Sequence, residues 1–200
     1  RDVERSRGLG DVYKRQTLFY GMLFMVAGIA ILASAAWRVE HRGGNWHTLL
    51  TSARSAASLV TAKLGVIVAL TAIMQCVFIL FSTVGGWLVG LPGLPPRALL
   101  ASALFAVVPA AAVAAWQSFI SMVIRSFAMP VAIGVVASIL AFGTIAAGFP
   151  AAQFLLPPVG VSKALWMGST AVADANALSL GTLTNLTASA LFLAAAGWLA

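Results

Sequence analysis

Charge is what this chain has least of. Only 8% of its 200 residues are Asp, Glu, Lys or Arg, where a soluble domain carries roughly a quarter, so too few groups are present to solvate a globular surface. Cysteine is a single residue, Cys76, which excludes an intrachain disulfide and a Cys-based metal cluster; set inside an apolar run, it reads as a small core residue. No G-x-x-x-x-G-K-[ST] occurs, because Lys63 and Lys163 lack the preceding glycine, so nothing in this chain cradles a nucleotide phosphate. H-E-x-x-H and G-x-S-x-G are also missing, and no catalytic residue is assigned. His41 and His47 stand six apart with only Glu40 as a nearby acid. One helix face would not present both, and no metal site is assigned.

What is there is apolar: 61% of the residues, with a mean hydropathy of +0.99. The apolar runs are unbroken for about twenty residues, the length of a bilayer-crossing helix, and lack the alternation of barrel strands. The fold class is therefore an all-α membrane protein, a polytopic helical bundle. Uncharged stretches predict about five spans, over 17–37, 64–89, 98–124, 129–149 and 186–200. The last has only about fifteen residues, a rise of about 22 Å against a hydrocarbon core of about 30 Å, so the chain reads as cut at its C-terminus. The formal net charge is +7. Its cations lie between hydrophobic segments, where they set orientation and meet headgroups, so the bilayer is the expected partner and nucleic acid is not.

The connections orient the bundle. The first holds Arg38, Arg42, Arg54 and Lys63 against Glu40, the third holds Arg125, and the second and fourth hold Arg97 and Lys163. Counting positive charges puts the first and third in the cytoplasm. Five further cations precede Thr17, on what would then be the outer side. Asp11 to Gln16, DVYKRQ, is what GATGTGTATAAGAGACAG encodes, a string that resembles a transposon mosaic end used in sequencing adapters. Residues 1–16 are therefore expected to be a non-native leader, excluded from the topology count; a genuine basic leader would instead sit inside and invert the bundle. Residues 17–200 are expected to form a single transmembrane domain, with 38–63 as a cytoplasmic segment and 150–185 as an external one.

In the cytoplasmic segment, Gly43 and Gly44 break the exit from the first span and Asn45 can cap a following helix. Trp46, Leu49, Leu50 and Ala53 then recur at helical spacing, as they would in a helix lying on the membrane surface or against a soluble partner.

Glu40, Gly43-Gly44, Trp46, Leu49-Leu50, Ser55 and Ala62-Lys63-Leu64 together resemble the connection after the second span of ABC-2 type transporter permeases, nearest the lantibiotic and bacitracin immunity group. Ala53 replaces that group's usual Pro, and Arg54 precedes Ser55 instead of following it. The resemblance implies six spans in the whole protein, of which this chain keeps the second to fifth and part of the sixth. It also implies a multi-pass protein of the bacterial inner (plasma) membrane that pairs with a second permease chain, as homo- or heterodimer. The segment 38–63 would be the coupling helix that docks on a separate ABC ATPase subunit, where ATP and Mg would bind; this chain itself needs no cofactor. Glu40 and Arg54 would make salt bridges to that subunit, and Trp46, Leu49 and Leu50 would be the apolar anchors.

Inside the spans, Gln75, Gln117 and Ser121 are candidate pathway-lining residues, with hydrogen bonding between helices as the alternative. Pro109 should kink the third span and free a carbonyl near Phe105. Gly86 and Gly90 form a small-xxx-small pair. Pro150, Pro157 and Pro158 predict short external helices at the interface, with Trp166 at headgroup level. None of the spans carries an ionisable group in its apolar core, which argues against an intramembrane enzyme and an ion-coupled secondary transporter. The alternative readings of the same residues are a non-transporting sensor or structural subunit, or a secondary transporter.

Overall fold

The computed structural model describes residues 20–42, 55–88, 90, 95, 97–167 and 180–199. Residues 1–16, on which the expected leader falls, the segment 43–54 with Trp46, Leu49, Leu50 and Arg54, and residues 168–179 lie outside them. Seven α-helices are described: α1 (Met25–His41), α2 (Ala56–Leu88), α3 (Arg97–Phe105), α4 (Val107–Val123), α5 (Ala128–Ala146), α6 (Pro157–Met167) and α7 (Leu180–Leu199). A π-helical turn, Tyr20–Phe24, leads into α1, and a 3-10 turn, Pro150–Phe154, precedes α6. No strand occurs among the described residues.

The sequence pattern explains which faces turn inward. On α2 the buried positions are Ile67, Thr71, Gln75, Ser82, Thr83 and Gly86, while Leu70, Ile73, Leu80 and Phe81 are 40% to 70% exposed. On α5 the buried positions are Pro130, Gly134, Ser138 and Ala141, and Val136, Ile139 and Leu140 face out. This is the reverse of a soluble bundle. Small and polar residues pack helix against helix, and branched apolar ones meet lipid. The inward hydroxyls bond back to their own helix, Thr71 to the Ile67 carbonyl at 2.8 Å and Ser138 to that of Gly134 at 3.0 Å, so these donors are not stranded in hydrocarbon. Four helices among the described residues are long and apolar enough to cross a membrane: Ala56–Leu88, Leu99–Val123, Ala128–Ala146 and Gly181–Leu199. The chain is an all-α polytopic membrane protein.

The centre of the bundle is α4, which packs on α1, α2, α6 and α7. Ala110, Ala112, Val113, Ala114 and Ala115 are almost fully buried, and their small size permits approach from every side. A close approach occurs at Gly197 of α7, where a Cβ would meet the backbone N of Trp116 at 3.0 Å.

Several helix ends differ from the sequence reading; α1, for one, runs on to His41 instead of ending at Trp37. α2 begins at Ala56, eight residues before Leu64, because Ser55 caps it: the Ser58 amide donates to Ser55 Oγ at 3.3 Å. At about 50 Å it exceeds the hydrocarbon core. The third span is two helices broken at Ala106, three residues before Pro109, where the ring removes an amide donor and crowds the carbonyl of Phe105. α7 starts at Leu180, not Leu186, since Thr182, Thr184 and Asn185 continue the helix; twenty residues rise about 30 Å, so this span is not short. Gly90 lies past the end of α2 with φ +82, so it does not share a helical face with Gly86.

The segment expected to lie outside departs most. Its short helices are present, but they turn back into the bundle. Leu155 to Pro158 stand beside Trp116, Gln117, Ile133 and Ala137, well inside α4 and α5, and a Cβ on Gly160 would lie 2.9 Å from Pro109. Val159, Val161, Ala164 and Leu165 of α6 are at most 1% exposed. An apolar helix with two leading prolines gains more by filling the space beside the α3–α4 break than by lying on the surface. Trp166 is only partly buried.

Candidate functional site

The cytoplasm-facing end of α1, as the charge count orients it, joins three elements. Glu40 is 7% exposed, and its Oε1 lies 2.8 Å from Lys63 Nζ of α2. The same ammonium donates to the Ala36 carbonyl at 2.5 Å and lies 4.9 Å from the centre of the Trp37 ring. Lys63 thus supplies positive charge at the C-terminal turns of α1, where the helix dipole favours it. On the opposite flank His41 Nε2 donates to the Ser121 carbonyl at 2.9 Å, one of the last carbonyls of α4, which has no intrahelical partner. Ser34 Oγ is 3.4 Å from Ser121 Oγ, and the Arg38 guanidinium lies 5.3 Å over Phe127 in the α4–α5 connection.

Of the residues expected to dock on an ATPase, only Glu40 is described, and its carboxylate is turned to its own chain. In the sequence Lys63 stands out only as a loop cation and part of a motif. The two ends of that motif, Glu40 and Lys63, are in direct contact and bracket the segment 41–62. A carboxylate and an amine flanking a polar segment between two apolar helices is a signal in the sequence, but it does not by itself give their contact.

The intramembrane polar residues do not converge. Gln75 is fully buried, and its Nε2 donates to the Ala103 carbonyl at 2.7 Å, beside the helix break; it bonds helix to helix. Ser121 belongs to the α1 junction. Gln117 is 4% exposed with its Oε1 unpartnered, and it lines a cavity of about 200 Å³. Its amide fills the space left by Gly134, where a Cβ would be 2.5 Å from Gln117 Nε2. Cys76 is exposed on the outer face of α2, not in the core.

Near the other end of the bundle, Lys163 Nζ donates to Gln153 Oε1 at 3.0 Å and Gln153 Nε2 to Asn185 Oδ1 at 3.0 Å. This chain of bonds ties α6 and the 3-10 turn to α7. Burial pushes the Lys163 ammonium below its ordinary pKa. No group of three or more His, Cys, Asp or Glu that could hold a metal occurs among the described residues.

An apolar outer surface, an inward stripe of small and polar residues, and polar contacts gathered at the bundle ends define a polytopic membrane-embedded protein. A family model described as ABC-2 family transporter protein matches residues 7–141, more than half of the chain, and the chain belongs to that family. No curated protein and no solved structure matches it.

Proposed function

We propose that this chain is the permease subunit of an ATP-driven exporter, moving a peptide antibiotic, drug or lipid-like cargo, with ATP hydrolysed by a separate ABC subunit and a second permease chain completing the pathway. The observation that carries the reading, beside family membership, is the Glu40–Lys63 bracket. It fixes both ends of the segment holding Trp46, Leu49, Leu50 and Arg54, so a push on that segment moves α1 and α2 together. α1 in turn is bonded to α4 through His41 and Ser34. A motor closing outside the membrane would act on this lever, and the bundle would shift between inward-facing and outward-facing packings. Arg54 remains a proposed docking cation, and Glu40 is proposed to hold the segment in place.

The test replaces Trp46, Leu49 and Leu50 together by Ser. The variant should still insert into the membrane but lose co-purification of its ATPase. An ATPase that stays bound removes the coupling assignment. Labelling should find His47 accessible from the cytoplasm; access only from the outer face inverts the topology and removes the proposal. An adjacent reading frame with nucleotide-binding motifs supports the permease, and its absence favours the sensor.

A further inference from the structure

Glu40 is the single acid among the described residues, and Lys63 takes it. Three guanidiniums at the same end of the bundle are thereby left without a carboxylate among the described residues: Arg38 and Arg42 at the end of α1, and Arg125 in the short connection between α4 and α5. All three are exposed. Arg38 and Arg42 stand four apart and share a helix face. Arg38 also lies 5.3 Å over Phe127, which follows Arg125 in the same connection, so the two elements border one patch. Ile31 and Ala35 occupy the same face of α1 one and two turns below the arginines, and both are exposed. Beside them α5 packs on α1, and Phe127 and Met129 at its start are exposed. The opposite end holds no such group: Arg97 opens α3, and Lys163 of α6 is bonded to Gln153.

We propose that this patch binds one anionic phospholipid of the leaflet that meets this end of the bundle. Arg38, Arg42 and Arg125 hold its phosphate, and an acyl chain runs down the face of α1 over Ala35 and Ile31. Guanidinium donors match phosphate oxygens in pairs, and a basic group between membrane helices is a recurrent seat for anionic headgroups. A zwitterionic lipid brings its own ammonium, which three uncompensated cations repel. Ile31 lies about 16 Å along the axis from Arg42, so a single helix face meets both the head and the chain. An acidic protein surface would satisfy the guanidiniums, but it could not follow the apolar stripe into the hydrocarbon; a lipid covers both. Bound there, the lipid bridges α1 to the α4–α5 connection beside the bond from His41 to the Ser121 carbonyl, and it closes that junction from the membrane side. The site does not depend on the permease reading.

The experiment is native mass spectrometry of the full chain, released from micelles holding equal amounts of phosphatidylglycerol and phosphatidylcholine of different chain length. The first lipid retained should be phosphatidylglycerol, by about 10-fold or more, and Arg38→Gln and Arg125→Gln should each cut that preference about 5-fold. Arg38→Lys keeps the charge but loses the planar fork, so it should recover only part of the preference. Arg97→Gln removes the same charge at the other end of the bundle and should change nothing. Arg38 and Arg125 are both exposed, and a monodisperse elution profile confirms that each variant is folded. Equal retention of the two lipids, an equal loss in Arg97→Gln, or displacement of phosphatidylglycerol by inorganic phosphate at the same concentration each overturns the proposal. If Arg38→Gln and Arg125→Gln instead lose an ATPase subunit and leave the lipid ratio unchanged, the patch belongs to a protein partner and the lipid site falls.

Discussion

Replacing Lys63 by Met keeps the length and the apolar stem of the side chain and removes only its charge. What this costs depends on where the ion pair lies. Solvent-exposed pairs contribute about 0–1 kcal/mol, whereas removing one member of a buried pair costs about 3–5 kcal/mol because the other charge is stranded. The side chains of Lys63 and Glu40 are 16% and 9% exposed, which puts the pair near the buried limit, with some relief because Glu40 sits in the last turn of α1. Lys63→Met should therefore destabilise the protein by about 2–3 kcal/mol. Glu40→Gln should cost less, about 1–2 kcal/mol, because Lys63 keeps its bond to the Ala36 carbonyl and its place over Trp37. Contacting residues couple by about 0.5–3 kcal/mol, so the double variant should be more stable than the sum of the singles implies by at least about 1 kcal/mol. Reversible unfolding of all four proteins in mixed detergent gives the cycle. Single effects below about 0.5 kcal/mol that simply add would show a solvated pair, and the rigid bracket would have no physical basis.

Two further substitutions probe contacts between helices. Gly197→Ala would set a Cβ 3.0 Å from a backbone nitrogen of Trp116 and 3.1 Å from the Ala115 carbonyl carbon, atoms that cannot swing aside; overpacking of this kind costs about 1–3 kcal/mol, and an unchanged unfolding midpoint would show that α7 is free to shift. Gln75→Leu removes the bond to the Ala103 carbonyl and should cost about 0.6–1.7 kcal/mol, the range of interhelical hydrogen bonds in membranes; a gain in stability would mean that the unpaired Gln75 Oε1 outweighs the bond its amide makes.

The helices are legible in the sequence because membrane insertion leaves few options: an uncharged run of twenty residues must satisfy its backbone internally, and only a helix does so within one segment. Their ends are less so. Leu180 to Asn185 reads as loop by hydropathy, yet its backbone continues the helix of α7, since Thr and Asn at a membrane edge have no reason to leave a helix already bonded. The break at Ala106 is legible from Pro109 alone. The inward turn of Pro157–Met167 is not, because it depends on the space that the broken third span leaves beside Gly160, a property of packing and not of the segment's own residues.

The same distinction separates the candidate sites. Glu40 carries a readable signal, an acid at the edge of an apolar span, but its partner lies 23 positions later, and spacing along the chain does not reveal that two antiparallel helices bring those positions together. Gln75, Gln117 and Ser121 look alike in sequence as polar residues at membrane depth. Packing separates them, since Gln75 bonds the carbonyl of a broken turn, Ser121 receives α1 through its carbonyl and hydroxyl, and Gln117 keeps an unused acceptor beside a cavity. What sorts them is whether a neighbouring backbone has a free donor or acceptor to offer, and that follows from the breaks and ends of adjacent helices. In this bundle the irregular backbone at Ala106 and at the end of α4 decides which polar side chains bond between helices, and the regular stretch of α4 opposite Gly134 leaves Gln117 with a buried acceptor that no backbone donor meets.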